Sequence, residues 1–273
     1  DVMLGARATE ESRAMLHAKM GIDKPIYEQF FLFMKNCLRL DFGESILSGE
    51  PVSQILARRF QVTASLTGMT ALFTMLLALP IGYFSGVNKH NAAGKAVNTS
   101  ALVVMAVPAF WVGILLMYFF GLKLHWFPIS GWGDTLGEHV WSLILPAFTQ
   151  SLGISALLIR NMQNEVAQIF TIDYVDFARS KGLAPMRVRV WYILRNVMIS
   201  TTTLFSIGIA SMLGGSVIIE SIFALPGLGQ LFYAAVMARD YTIIMGNLVL
   251  GAVLTLLGNL LADVCYGLAD PRI

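Results

Sequence analysis

The order of apolar and charged positions divides the chain into two unlike parts. Up to residue 61, acids and bases alternate with apolar residues at short intervals: Arg7, Arg13, Lys19, Lys24, Lys35, Arg39, Arg58 and Arg59 against Asp1, Glu10, Glu11, Asp23, Glu28, Asp41, Glu44 and Glu50. Within it, residues 8–20 and 26–40 have helical spacing, the second rich in Phe and Leu, and the stretch from Gly21 to Pro25 breaks them apart. Five uncharged runs come next, 62–87, 96–122, 140–159, 197–219 and 241–262. Each reaches about 20 residues, the helix length that crosses a hydrocarbon core of roughly 30 Å. Pro80, Pro108 and Pro146 fall inside or near the ends of these runs, where a kink is tolerated if neighbouring helices satisfy the freed carbonyls. Gly208, Ala210, Ser211, Gly214 and Gly215 suit close helix packing. The pattern predicts an all-α integral membrane protein, a polytopic helical bundle with five visible spans over residues 62–273, preceded by a water-facing amphipathic segment over residues 1–61.

Composition points the same way. The chain is 56% hydrophobic and only 13% charged, against about 25% charged in an ordinary soluble domain. A net charge of +2, with no basic cluster among aromatics, leaves no electrostatic footprint for nucleic acid. Charge is more informative in the loops. Lys89 and Lys95 stand in the 88–95 loop without an acid, and the bases Arg160, Arg179, Lys181, Arg187, Arg189 and Arg195 outnumber Glu165, Asp173 and Asp176 in the 160–196 loop. The alternate loops, 123–139 and 220–240, each carry more acid than base. The excess of Lys and Arg places the first pair of loops in the cytoplasm and the second pair outside, with the first 61 residues extracytoplasmic and the C-terminus cytoplasmic. On this topology Cys37 and Cys265 lie on opposite sides of the membrane and cannot pair.

The long polar interruption at 160–196 is organised around DYVDFARSKG, residues 173–182. Thr171 can cap a short helix, with Asp173 and Asp176 in its first turns and Arg179 and Lys181 at its end, so both ends suit the helix dipole. Ile172, Val175 and Ala178 form a one-sided apolar row. Gly182 suits a left-handed helix terminus, and Pro185 can start a second helix running through Arg195. These residues resemble the cytoplasmic coupling loop of bacterial ABC importer permeases, which carries an acid, an alanine and then a glycine as Asp173, Ala178 and Gly182 do here. The form DYVxxARxKGL, with LRN after it at 194–196, is similar to the oligopeptide, dipeptide and nickel branch, although Asp176 stands where that branch has a basic residue and Ser200 where it has proline.

A second resemblance lies in the outward loop and the last run. ESIFALPGLG at 220–229, then Asp240 and Tyr241, then Asn259, Asp263, Tyr266, Asp270, Pro271, Arg272 and Ile273 look like the C-terminal third of peptide and nickel permeases. Physically, Pro226 and Gly227 make a tight turn, Gly229 permits close backbone approach, and 230–238 is too short to span. This stretch reads as a lid or re-entrant element at the outer mouth, with Glu220, Pro226, Gly227 and Gly229 as outer-gate residues. LDFGES at 40–45 resembles that branch's external LDFGxS element, and taken alone reads as a turn after a packed helix. The opening DVMLG resembles the residues that succeed an initial span in the family, which implies a sixth, N-terminal span that this chain does not show.

The resemblance implies a membrane permease subunit of an ATP-driven importer in the bacterial cytoplasmic (inner) membrane, translocating di- or oligopeptides delivered by a substrate-binding protein, with nickel or another metal in an organic chelate as the alternative cargo. It implies a second homologous permease subunit and two ABC ATPase subunits as partners. ATP and Mg would be held by those ATPases, and no cofactor by this chain. The coupling residues would be Asp173, Ala178, Arg179, Lys181 and Gly182. The spans themselves offer only neutral polar groups to a solute, among them Gln150, Ser151, Ser155, Thr201, Ser206, Asn247 and Asn259. An ion-coupled secondary transporter is the rival from another class, and it would carry acids or bases within its spans, which these runs lack. No GxxxxGK[ST] loop is present, since Ala96 comes after Gly94 and Lys95, so no ATP hydrolysis is expected here. His125, His139, Asp134 and Glu138 share one loop and read as a solvated set, and the 14 methionines read as lipid-facing or packing side chains.

Overall fold

A computed structural model describes residues 25–170, 172, 177 and 180–269. Among these residues the regular structure is entirely helical apart from one isolated bridge between Glu44 and Pro51. Helix α1, Ile26–Cys37, buries none of its side chains and ends in a turn where Leu40 takes a positive φ. Residues 8–20, where the periodicity predicts another helix, lie outside the described residues.

Helix α2, Val52–Val87, starts ten residues before the uncharged run and carries Arg58 and Arg59 near its start. Pro80 is absorbed within it. The second run is not one straight span. Val107 is extended (ψ 129°) because the ring of Pro108 disfavours a helical residue before it. The chain there bends by 98° between α3, Ala92–Ala106, and α4, Ala109–Leu116, which continues as a π-helical stretch over Met117–Lys123. Helix α5, Leu136–Ile169, opens with a capping box in which Thr135 Oγ1 accepts from Glu138 N–H and the Glu138 carboxylate accepts from Thr135 N–H. Glu138 is thereby engaged, and His139 stacks on Trp132 at 4.3 Å.

Pro185 does start a helix, but α6 does not stop at Arg195. It runs as Pro185–Arg187, a π-helical stretch Val188–Leu194, and then Arg195–Met212. No proline or glycine stands between Pro185 and Gly208, so the polar loop and the fourth run share one element, which bends by 43° between Pro185–Met198 and Ser200–Met212. The fourth run in turn is interrupted. Gly214 and Gly215 end α6, Gly215 at φ +100°, and residues 217–219 belong to a separate short helix, α7, Val217–Ile222. Helix α8, Leu228–Ala238, is 11 residues long, and α9 occupies Tyr241–Ala269. Among the described residues, three helices are thus long and apolar enough to cross a membrane unbroken, or up to five spans if each bent pair counts as one.

The central contact is between α2 and α5. A stripe of small residues on α2 lets the backbones approach: a Cβ on Gly82 would lie 2.9 Å from Met162, and one on Gly86 would collide with Val166. Met162, Val166 and Ile169 continue into a buried cluster with Val188, Ile193 and Val197 of α6. Loops segregate to the two ends of this pair. The Ser45 turn, Trp132, Pro226 and Asp240 meet around one cleft, whereas Val87, Phe170, Leu183 and Arg189 meet around another.

Candidate functional site

The stretch 213–243 folds back on itself because each of its breaks is chemically specified. Glycine ends α6, α7 closes with Leu225 N–H donating to Glu220 O at 2.8 Å, and Gly227 N–H turns onto Leu225 O at 2.8 Å. Arg239, in the left-handed conformation, terminates α8. The turns place the first residue of α8 against α2, α7 and α9 together.

Glu220 holds this junction. It is fully buried, and its oxygens accept from Thr63 Oγ1 (2.9 Å), Ser216 N–H (3.2 Å) and Gln230 N–H (3.0 Å). Thr63 in turn accepts from Leu228 N–H at 2.8 Å. A carboxylate and a threonine on two other helices therefore supply the missing cap of α8, whose own N-cap residue, Gly227, has no side chain. Glycine is required at that position, since a Cβ on Gly227 would collide with the Glu220 carboxylate and the Thr63 hydroxyl. Gly229 is equally confined, with Val217 N at 2.5 Å from its notional Cβ. Pro226 lines the neighbouring cleft.

Three further bonds fasten the ends of α8. Asn247 of α9 donates to Leu228 O at 2.8 Å. Ser45, from the LDFGES turn, donates to Asp240 Oδ2 at 2.6 Å, and Asp240 Oδ1 accepts from Ile243 N–H at 3.3 Å at the start of α9. The LDFGES turn is thus more than the end of a helix. Its serine and Asp240, 4% and 1% exposed, join the polar segment to the last helix.

The neutral polar residues of the helices fall into two kinds. Ser151 bonds back to Phe148 O and Asn247 to Leu228 O, so both serve the fold. Among the described residues, Gln150 Oε1, Ser155 Oγ and Thr201 Oγ1 are buried without a partner, as are Thr70 Oγ1 and Thr74 Oγ1 on α2. Ser206 is half-buried on α6. At the opposite end, Gly182 takes φ +72° with open space around its α-carbon, the left-handed geometry that the sequence predicts. Lys181 N–H donates to Phe177 O at 3.1 Å, and its ammonium lies 4.5 Å from the Phe177 ring centre. Asp173, Ala178 and Arg179 lie outside the described residues.

Thr63, which completes the cap of α8, is absent from the residues singled out by motif. The signal was nevertheless present: Thr63, Thr67, Thr70 and Thr74 recur at intervals of four, three and four, which puts them on one face of the helix.

A family model described as "Binding-protein-dependent transport system inner membrane component" matches residues 78–273. Over its whole length the chain is 33% identical to the oligopeptide transport system permease protein AppB of Bacillus subtilis (strain 168), of which it covers 88%. It is 32% identical, again over its whole length, to the glutathione transport system permease protein GsiC of Salmonella choleraesuis (strain SC-B67), covering 87% of that protein. Among solved structures it is similar to the MetNI methionine ABC transporter in an inward facing conformation, with a TM-score of 0.65 over 80% of this chain and 97% of that one. At 17% identity that likeness speaks for the fold alone. The chain belongs to the binding-protein-dependent transport system inner membrane component family and is the multi-pass permease component of an ABC importer of the bacterial inner membrane.

Proposed function

We propose that this permease passes short peptides, handed over by an extracytoplasmic binding protein, across the membrane in a complex with a second, similar permease and two ATPase subunits. The observation that carries this reading is the full-length similarity to permeases named for oligopeptide and glutathione transport. The chemistry of the helices supports it. The buried oxygens of Gln150, Ser155, Thr201, Thr70 and Thr74 have no partner among the described residues, and such neutral groups can exchange hydrogen bonds with peptide amides without holding them tightly. Lys181 and Gly182, with Asp173, Ala178 and Arg179, would meet the ATPase, while the hairpin of Glu220, Pro226, Gly227 and Gly229 would close the outer mouth.

Reconstitution tests the proposal. The assembled complex in proteoliposomes should take up labelled di- and oligopeptides only with ATP on the ATPase side, and peptide-loaded binding protein should stimulate hydrolysis. ATP-independent uptake, or hydrolysis indifferent to peptide, would sink it.

A further inference from the structure

The cleft beside the hairpin has a volume of about 630 Å³, within the range of roughly 300 to 1,000 Å³ typical of small-molecule sites. Ile55, Val62, Leu231 and Ile243 give it apolar walls, and Trp132 and Pro226 close one side. Its charged groups are Glu50, Arg58, Arg59 and Asp240.

The four cancel formally, two acids against two arginines, yet their partners among the described residues are unevenly distributed. Arg58 pairs with Glu50. Asp240 is occupied by Ser45 Oγ and Ile243 N–H. Glu220, which reaches α2 through Thr63 one helical turn beyond Arg59, has both oxygens filled. Arg59 is left half-buried, on the cleft wall, with no hydrogen bond or ion pair to any described residue. A guanidinium partly withdrawn from water among apolar side chains favours an anion, and its planar fork matches a carboxylate.

We propose that Arg59 and this cleft form a carboxylate subsite at the outer mouth, which receives the free C-terminal carboxylate of a peptide as it leaves the binding protein. The inference rests on the peptide-import reading above and adds to it a charged contact that the uncharged runs do not offer. The cleft is open to the same end as the hairpin, and Pro226, Leu231 and Asp240 of the hairpin form part of its wall. A solute held there touches the element that would have to move for it to pass.

Two measurements on the assembled complex in nanodiscs and proteoliposomes test the subsite. In the first, phenylglyoxal modification of Arg59 is monitored by peptide mass mapping with Ala-Ala, or its C-terminal amide, as the only addition. The free acid should slow the modification and the amide should not. In the second, uptake of the acid relative to the amide is compared between wild type, Arg59→Gln and Arg59→Lys, with binding protein unchanged. Arg59→Gln should reduce that ratio by about tenfold, the size of one charge-assisted hydrogen bond, and Arg59→Lys should retain part of it. Equal protection by acid and amide, or an Arg59→Gln loss common to both solutes, overturns the subsite. So does protection that appears only on adding binding protein, because the cleft would then be a protein contact. If wild type transports neither solute while the acid still protects Arg59, peptide import fails and the carboxylate site stands.

Discussion

Replacing Thr63 by valine keeps the shape of the side chain and deletes both of its bonds. The side chain is 1% exposed, so water cannot substitute for the hydroxyl. Leu228 N–H loses its acceptor at 2.8 Å, and Glu220 loses one donor at 2.9 Å while keeping those from Ser216 and Gln230. An unsatisfied buried amide costs about 1 to 3 kcal/mol and a weakened charged bond a similar amount, against which the added methyl returns about 1 kcal/mol. The net loss, about 1 to 5 kcal/mol and about 3 at the middle of that range, falls on the hairpin and not on the α2–α5 contact. Local opening of that middle size speeds amide exchange by about 150-fold. Hydrogen exchange read by mass spectrometry should show the acceleration at Leu228 and Gln230, leave the buried middle of α5 unchanged, and be absent in Thr63→Ser. Exchange at 228–230 that stays within about threefold of wild type would refute the assignment of Thr63 as the staple of α8.

Gly227→Ala should cost about 1 to 3 kcal/mol by driving a methyl group into Glu220 and Thr63, seen as a lower unfolding temperature of the purified complex. Gly182→Val, at φ +72°, carries a backbone strain of about 1 to 2 kcal/mol with no packing clash; insertion should be normal while binding protein no longer stimulates ATP hydrolysis, and normal stimulation would remove Gly182 from coupling. Ser155→Ala and Thr201→Ala should change peptide uptake rate but not the order of competing solutes, as measured in proteoliposomes. Partial withdrawal from water pushes the Cys37 thiol above its usual range, with a backbone hydrogen bond opposing the shift in part. A raised pKa means less thiolate at a given pH, so an impermeant alkylating reagent should label Cys37 more slowly than an introduced Thr135→Cys, with the gap narrowing as pH rises; equal rates at neutral pH would contradict that withdrawal.

Much of this arrangement was legible in the residues because the signals were local. Uncharged length marked the helices of the bundle, Gly182 marked a left-handed terminus, and the PGLG turn marked a hairpin too short to span. What escaped was set by contacts distant in sequence. The chain bends sharply at Val107 because Pro108 comes next, but a proline such as Pro80 is absorbed into an unbroken helix, and only the neighbours of each decide which occurs. Run 197–219 is uniformly uncharged, yet it contains the end of one helix and the start of another, because Gly214 and Gly215 break the chain without changing its hydropathy. Thr63 and Glu220 are 157 residues apart, and no periodicity links an α2 threonine to a carboxylate in a later loop.

The same long-range contacts run from one end of the α2–α5 pair to the other. Thr63 fixes the hairpin to α2. Further along α2, Gly82 and Gly86 lie against Met162 and Val166 so closely that neither glycine could gain a Cβ without displacement. Val87 at the end of α2 and Phe170 just after α5 then reach Leu183 and Pro185, immediately beyond Gly182. Two backbones in such close contact resist sliding past one another, since any relative shift forces Met162 or Val166 into the facing helix. On this reading a displacement imposed near Gly182 is carried by α2 and α5 as a unit, and the compliant parts are the glycine and proline breaks at 107–108, 214–215 and 226–227. Two of those breaks flank α7, so motion of the pair would be felt first where α7 and α8 meet Glu220, which is also where a buried carboxylate makes an unsatisfied intermediate costly and favours two discrete positions over a continuum.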